Sequence, residues 1–330
     1  MEVKKISTDK LMNISHSGRP DSFEEFIGQE HIKDIVKTAI ESGKKRKWHM
    51  GHILFSGPSG FGKTTMAHII SKQWQVNIKA VTGYAITKPS EIISILNTLE
   101  TWDILFIDEI HRLKPNIEEV LYIAMEDFVI DMVMPEWGNV RIPINPFTLI
   151  GATTKSESLS QPIKNRFVYH FHFMEYTPNE KETMIKKYLD KYEIILWDHQ
   201  KSSETSSNIL KKISEKVGSV PREIHNLCIK IRDFVITRSP LDKEGWGEIW
   251  KILTDLLREE FLKHSQIEEG GMTPLHKKYL EILETADRPM GAKAIAVQLG
   301  INEKAVEEDI EPLLLKLGKI EKTAMGRVLV

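Results

Sequence analysis

One segment of the sequence has the residue types and spacing of a phosphate-binding loop. Residues 57–64 read GPSGFGKT, with an apolar, strand-like stretch before them and a helical stretch after them. Such glycines let the backbone N–H groups turn toward an anion, and the start of the following helix adds its positive end. Lys63 then reaches the β- and γ-phosphates of ATP, and the Thr64 hydroxyl completes the coordination of Mg²⁺. The glycines that this geometry uses are Gly57, Gly60 and Gly62.

Two carboxylates follow a second apolar stretch, DILFIDE, at residues 103–109. Acidic side chains at the end of a buried strand are costly unless they face a cation or a polarised water. Beside a phosphate loop, Asp108 is expected to hold Mg²⁺ through its water shell, and Glu109 to orient or deprotonate the attacking water. Helix capping is the alternative for this pair. A third stretch ends in Thr154, which is either a γ-phosphate contact or a threonine of a surface turn.

The elements that would position these residues form an α/β pattern between about residues 19 and 173. Short apolar stretches alternate with helical ones there, which predicts a parallel sheet covered on both faces. An inserted β-hairpin is predicted at about residues 128–145, with Pro135-Glu-Trp137 at its tip; this tip suits either a protein interface or core packing. The predicted strands lie at residues 52–56, 103–109, 147–154 and 167–173.

Helical patterns dominate after Tyr176. Thr177-Pro178-Asn179-Glu180 has the form of a capping box, and further helices are predicted at about 203–216, 221–237 and 247–264. The C-terminal part reads as three helices followed by two short strands, an order that predicts a winged helix. The predicted domains are therefore residues 1–176, 177–266 and 267–330.

Composition excludes several classes of protein. Of 330 residues, 41% are hydrophobic, and 45 Lys plus Arg against 47 Asp plus Glu exclude a histone-like basic protein or an acidic disordered tail. The single cysteine, Cys228, excludes an internal disulfide and is expected to be a small buried apolar group. There is neither an apolar run of about 20 residues nor a secretion-signal pattern, so a soluble cytoplasmic protein is expected.

In this order, the motifs resemble the RuvB family of AAA+ ATPases. The resemblance rests on GPSGFGKTT, LFIDEIHRL, EEVLYIAMEDF, PFTLIGATT, the Arg166-Phe167 pair and Pro221-Arg222. It implies an AAA+ ATPase domain with an inserted β-hairpin, an all-α lid domain and a winged-helix domain. It also implies an ATP- and Mg²⁺-dependent hexameric ring that drives branch migration of Holliday junction DNA. The implied partners are duplex DNA, a RuvA-like protein bound at the hairpin, and a RuvC-like resolvase.

The resemblance also assigns roles to single residues. Arg166 corresponds to an arginine finger that reaches the ATP site of the neighbouring subunit, although alone it could be a solvated surface residue. Arg222 corresponds to the second sensor; it starts a helix, where the dipole disfavours a cation, and a phosphate would remove that conflict. The other positions that match family residues around the nucleotide are Gly18, Arg19, Gly60, Thr65, Tyr176 and the segment Glu126-Asp127-Phe128.

Contact with DNA is predicted on the final β-ribbon. The preceding helix, at 302–318, carries five acids against two lysines, so a phosphate-lined groove would repel it. Lys322 and Arg327 match the two arginines of the family ribbon that touch DNA. The ribbon differs from the family's Arg-Thr-Pro-Arg-Gly-Arg, because it reads KTAMGR and has lost one basic group. A solvated basic turn is the alternative.

Two other functions are weighed against a branch-migration motor. One is a clamp-loader-like ATPase that remodels something other than junctions; the hairpin and the winged helix argue against it. The other is a DNA-binding regulator that keeps a nucleotide without hydrolysing it. The intact set of Lys63, Asp108, Glu109 and Arg166 argues against this regulator.

Overall fold

The computed structural model describes residues 19–134, 138–192, 210–211, 213–214, 217–238, 272–286 and 288–330. They form two compact units. The first unit contains the described residues up to 180 together with residues 220–222, and the second contains the described residues of 181–219 and 223–330. The domain boundary after residue 176 stays a prediction. Gly18, the hairpin tip, the predicted helix at 247–264 and the predicted boundary at 266/267 lie outside the described residues.

A five-stranded parallel sheet forms the centre of the first unit, in the order β2-β3-β6-β1-β7, and a separate antiparallel pair, β4 and β5, forms the predicted hairpin. Strands β1, β3 and β6 are buried along almost their whole length, as expected when helices cover both faces of a sheet. In chain order the strands are β1 (Ile53–Ser56), β2 (Ile78–Thr82), β3 (Ile104–Asp108), β4 (Val129–Met134), β5 (Gly138–Pro143), β6 (Thr148–Thr153) and β7 (Tyr169–His172).

In the described part of the first unit, five α-helices accompany this sheet and a sixth begins at the end of that unit. Apolar side chains of α3 and α4, such as Ile92 and Leu121, pack on the core that β3 and β6 share. At the start of α6 the predicted capping box is confirmed, because the Glu180 N–H donates to Thr177 Oγ1 (3.3 Å) and the Thr177 N–H donates to Glu180 Oε2 (2.7 Å). The helices are α1 (Glu30–Arg46), α2 (Lys63–Trp74), α3 (Pro89–Leu96), α4 (Pro115–Asp127), α5 (Gln161–Lys164) and α6 (Pro178–Lys191).

A buried histidine joins the last turn of α4 to the sheet. His52 Nδ1 accepts the N–H of Leu149 (2.8 Å), so the proton of the neutral ring is on Nε2, which lies 3.0 Å from the Met125 carbonyl oxygen. Burial lowers the pKa of His52 to about 4, and the ring is therefore neutral at physiological pH. One side chain thus fixes β1, β6 and the end of α4 to one another.

Helix α7 (Pro221–Arg238), which belongs to the second unit from residue 223 onward, confirms the helix predicted at 221–237. Cys228 is fully buried in it, as the sequence predicts, and burial raises the pKa of its thiol to about 12. A thiol with such a pKa holds almost no thiolate at neutral pH and is therefore chemically inert.

The C-terminal part contains α8 (Pro274–Glu284), α9 (Ala292–Leu299), a third helical segment and the ribbon of β8 (Ile320–Thr323) and β9 (Gly326–Leu329). The third helix, predicted at 302–318, is confirmed as a helical segment from Glu303 to Lys316, and Asn302 Oδ1 caps its start by accepting the N–H of Ala305 (2.7 Å). It is not α-helical throughout, because a π-helix (Val306–Ile310) separates a short α-turn (Glu303–Ala305) from α10 (Glu311–Lys316). Pro312 lies at the start of α10; it has no N–H to donate and its ring crowds the preceding turn, which accounts for the break.

None of the helices in the described part of the chain is long and apolar enough to cross a membrane.

Candidate active site and nucleic-acid surface

The phosphate-binding loop connects β1 to α2 and has a backbone that requires glycine. Gly57, Gly60 and Gly62 have φ angles of 132°, 81° and 101°. A Cβ atom on Gly60 would lie 2.6 Å from a methyl group of Val220, and one on Gly62 would lie 2.8 Å from the ring of Phe26. These contacts leave no room for a side chain, so the loop is shaped by its glycines.

The predicted phosphate-binding lysine is buried at the first position of α2. Lys63 Nζ donates to the carbonyl oxygens of Gly57 (2.7 Å) and Pro58 (2.8 Å). Desolvation lowers the pKa of Lys63, and the nearby carboxylates of Glu109 and Asp108 oppose this shift. Thr64 and Thr65 follow in the first turn of α2, which contains no acidic residue, so the positive end of the helix is not neutralised.

Glu109, the predicted catalytic carboxylate, has a strained backbone conformation that neighbouring residues stabilise. Asp108 ends β3, and Glu109 follows with a φ of 49°, a left-handed conformation that is costly for a non-glycine residue. The Glu109 N–H donates to Asp108 Oδ1 (3.0 Å). On the other side, a Cβ atom on Gly83 would lie only 2.4 Å from the Glu109 carbonyl oxygen. This close packing keeps Glu109 in its strained conformation.

The side chain of Glu109 is held by one of its two oxygens. Thr154 Oγ1 donates to Oε2 (3.1 Å), and His111 Nδ1 lies 3.1 Å from the same oxygen and 2.9 Å from Thr153 Oγ1. Desolvation lowers the pKa of His111, so its ring is neutral at pH 7. Among the described residues, Oε1 has no hydrogen-bond partner, so this oxygen can bind a water. The sequence pointed to Thr154 but not to its contact with Glu109, and it gave no signal for His111.

Three other predicted residues lie next to the loop or to α2. Arg222 lies against Gly60, and its charge helps to lower the pKa of Lys63. Tyr176 is buried, and its hydroxyl donates to the Phe61 carbonyl oxygen (2.9 Å), a contact that stabilises the phosphate loop. Burial is the main cause that lowers the pKa of His68, a residue of α2, and the charge of the exposed Arg19 lowers this pKa further.

Arg166 lies at the end of the sheet away from the phosphate loop. All strands of a parallel sheet run in one direction, so the residues before β7 lie beside the amino-terminal ends of the strands, whereas the loop follows the carboxyl end of β1. Arg166 comes after α5 and just before β7. Its guanidinium forms an ion pair with Glu126 (Nη2 to Oε2, 2.5 Å) and lies over the ring of Tyr122 (5.8 Å). Arg166 therefore cannot act on the loop of its own subunit. Sequence reasoning missed Tyr122.

The segment Glu126-Asp127-Phe128, which the family resemblance matches to positions around the nucleotide, lies away from the phosphate loop of its own chain. The Phe128 ring packs edge-on against His49 (4.9 Å) and Phe147 (6.0 Å), which precede β1 and β6. This packing places the segment beside the amino-terminal ends of the strands, where Arg166 also lies. Any contact of these residues with ATP would be with the ATP of a neighbouring subunit.

The residues predicted to hold Mg²⁺ supply oxygen only. Thr64 offers a hydroxyl and Asp108 a carboxylate, which are the donors that this cation prefers. No group of three or more His, Cys, Asp or Glu that could hold a metal by itself occurs among the described residues. Two oxygen donors from the protein fit an Mg²⁺ ion whose other ligands would be nucleotide phosphates and water.

The two basic residues predicted to contact DNA have partners within the C-terminal domain. Arg327 donates to Glu311 (Nε to Oε1, 2.8 Å) and to Glu307 (Nη2 to Oε1, 2.9 Å). Lys322 Nζ lies 2.6 Å from Glu311 Oε2, and the Tyr279 hydroxyl donates to Glu311 Oε1 (3.1 Å). The Glu311 side chain is completely buried. The ribbon is therefore tied to the third helical segment through one buried carboxylate.

This cluster leaves Arg327 less accessible to a phosphate than Lys322. The Arg327 side chain is only 17% exposed, and the acids of the third helical segment balance its charge. A DNA phosphate would have to compete with two carboxylates already in place. Lys322, at 45% exposure, and the exposed Lys319 are better placed to meet a phosphate. The sequence showed the opposite charges of helix and ribbon but not that they pair.

The parallel sheet with its phosphate loop, its strand-end carboxylates and the threonine at the tip of β6 define a P-loop ATPase domain of the AAA+ class. The family model "Holliday junction DNA helicase RuvB P-loop domain" matches residues 18–173, and "RuvB C-terminal winged helix domain" matches residues 269–330. The chain belongs to the RuvB family.

Relatives from several organisms extend this similarity over the full chain. The "Holliday junction branch migration complex subunit RuvB" of Campylobacter lari is 40% identical over 99% of this chain and 93% of its own length. The Helicobacter pylori J99 protein of the same name is 38% identical over 94% of this chain and 88% of its own length. A solved structure, the "Thermotoga maritima RuvB Holliday junction branch migration motor", covers 94% of this chain and 95% of its own, at 32% identity and a TM-score of 0.73.

Proposed function

We propose that this protein is the ATP-hydrolysing motor subunit of a Holliday junction branch migration complex, which moves duplex DNA during recombination and repair. The observation that carries the proposal is the full-length similarity to RuvB proteins, together with an intact set of hydrolytic residues. The names of these relatives describe the same activity, and their action on DNA supports a location in the cytoplasm.

The geometry supports a simple division of labour in hydrolysis. Lys63 and the amides of the loop bind the β- and γ-phosphates. Thr64 and Asp108 would hold Mg²⁺, which when bound would neutralise charge on the phosphates. Thr154 holds one oxygen of Glu109, which leaves the other oxygen to orient a water and take its proton. Arg222, beside Gly60, contacts the γ-phosphate and detects its loss.

The active site is shared between subunits. Arg166 lies beside the amino-terminal ends of the strands, whereas the phosphate loop of its own subunit follows a carboxyl-terminal end. Its guanidinium can therefore complete only the site of a neighbouring subunit. A closed ring, a hexamer in this proposal, gives every loop such a neighbour. Hydrolysis then depends on assembly.

The hairpin and the C-terminal domain supply the partner surfaces. The β4–β5 hairpin forms a two-stranded antiparallel sheet separate from the central one, a form suited to a RuvA-like junction-binding protein. The winged helix binds duplex DNA through exposed lysines of its ribbon, and several subunits acting together raise the avidity. A RuvC-like resolvase is a further partner of the same complex.

A synthetic four-way junction with one labelled strand tests the proposal. We expect dissociation into two duplexes that requires ATP and Mg²⁺, rises with a RuvA-like protein, and is absent with Lys63→Ala. ATP hydrolysis that DNA stimulates but that leaves junctions intact would support a clamp-loader-like remodeller instead. ATP binding without any hydrolysis would support a non-catalytic regulator.

Replacing Arg327 with Ala is expected to weaken the C-terminal domain more than its contact with DNA. The change leaves the buried Glu311 with Lys322 and Tyr279 alone, and a buried acceptor that loses a partner costs about 1–3 kcal/mol. Lys322→Ala, in contrast, should reduce the slope of log affinity against log salt concentration by about 1. Thermal unfolding and salt-dependent binding to junction DNA separate the two effects. A reduced slope with unchanged stability for Arg327→Ala would mean that Arg327 contacts DNA directly.

A further inference from the structure

Arg166 is held by two side chains from one face of α4. Tyr122 and Glu126 are four residues apart, so they lie one above the other on the helix. Glu126 Oε2 accepts a hydrogen bond from Nη2 of Arg166 (2.5 Å), and the Tyr122 ring lies 5.8 Å from its Cζ atom. Nε of Arg166 is buried and has no hydrogen-bond partner among the described residues. The direction of the guanidinium is therefore set by Tyr122 and Glu126.

The helix end that carries Glu126 is fixed to the sheet. The Met125 carbonyl oxygen lies 3.0 Å from His52 Nε2, and Phe128, with a left-handed φ of 51°, ends the helix against two aromatic rings. The C-terminal end of α4 also carries the negative pole of the helix dipole, which favours a cation beside it. The backbone that carries Glu126 is thus held rigidly, and accurate orientation of another side chain requires such a rigid backbone.

The strength of the contact suits orientation better than stability. Glu126 is 55% exposed and Arg166 is 32% exposed, and ion pairs this accessible contribute little to the stability of a fold. Losing the contact should hardly change the free energy of unfolding. It should, however, let the long arginine side chain move among other rotamers, and a reacting group misplaced by about 1 Å can cost about 100-fold in rate.

We propose that Glu126, together with Tyr122, is a positioning residue that directs Arg166 toward the ATP of the neighbouring subunit. The proposal rests on the function proposed above and extends it. Glu126 holds Nη2 from the side of its own subunit. Nη1 has no hydrogen-bond partner among the described residues and can therefore bind the γ-phosphate across the interface.

Replacement of Glu126 tests this role. Glu126→Ala is expected to lower kcat for ATP roughly 10- to 100-fold, with the affinity for ATP changed by less than about twofold and thermal stability unchanged. Glu126→Gln keeps an acceptor for Nη2 and should recover much of the loss. Glu119→Ala, an exposed acid of the same helix, is the matched control and should behave like the wild type. If Glu126→Ala keeps full kcat, or if Gln is as poor as Ala, the proposal is wrong.

Mixed rings show in which subunit Glu126 acts. Glu109→Gln subunits are expected not to hydrolyse ATP, but their Arg166 is unchanged and correctly oriented. Mixing them with Glu126→Ala subunits should raise turnover per Glu126→Ala chain, because intact pockets then meet a correctly held arginine. No rise would overturn the proposal by placing the defect in the pocket of the mutated subunit. Arg166→Ala mixed with Glu109→Gln is the reference, and failure of that pair to recover would contradict the shared site itself.

Discussion

Glu109→Gln is expected to remove ATP turnover almost completely while ATP still binds. Glutamine fills the same volume and can still accept the Thr154 hydroxyl, but it cannot take a proton from water. General-base catalysis contributes about 10²- to 10⁴-fold, so kcat should fall by at least about 100-fold. Phosphate release under steady-state conditions measures the first effect, and equilibrium binding of a fluorescent ATP analogue measures the second.

A matched control for this change is Glu100→Gln, which removes an exposed carboxylate near the opposite end of β3. Its turnover should equal that of the wild type. If Glu109→Gln hydrolyses ATP at the normal rate, the water is activated by another group. If it fails to bind ATP, the substitution has disturbed the loop rather than the chemistry.

Arg166→Ala should lower turnover by about 10³-fold, since arginine fingers supplied by a second subunit contribute 10³–10⁵ in related phosphoryl transfers. Arg166→Lys should remain close to the alanine variant, because an ammonium cannot present the planar fork that spans two phosphate oxygens. ATP affinity of the unassembled subunit should not change, since Arg166 lies away from its own loop.

The dependence of activity on protein concentration completes this test. Wild-type turnover per chain should rise as subunits assemble, whereas Arg166→Ala should stay slow even when sedimentation shows complete rings. A variant that keeps wild-type turnover, or a wild-type protein that is fully active as a monomer, would contradict the shared site.

The phosphate loop could be predicted from sequence because its requirements are local. Positive φ angles at Gly57, Gly60 and Gly62 restrict the residue type at each position, and the strand before them and the helix after them are visible in the apolar pattern. Strand β2 was missed for the opposite reason. It lies at the edge of the sheet and is only partly buried, so Lys79 is tolerated and no continuous apolar run marks it.

Contacts between distant parts of the chain could not be predicted. The pairing of Arg327 with Glu311 spans the turn between helix and ribbon, and nothing in either segment shows that the acid is buried. The family resemblance associated Glu126 with a nucleotide, but only the fold shows that Glu126 lies away from the phosphate loop of its own chain and contacts Arg166. The break in the third helical segment, in contrast, had a signal in the sequence, because Pro312 cannot continue an α-helix without disturbing it.

The burial of Cys228 has a practical consequence for experiments on the moving complex. As the sole thiol of the chain is shielded and remains protonated at neutral pH, maleimide dyes should react with it very slowly. A cysteine introduced on the exposed side of the ribbon would then be labelled selectively in an otherwise unmodified background. Fluorescence from single rings could follow that ribbon along DNA without first replacing the native residue.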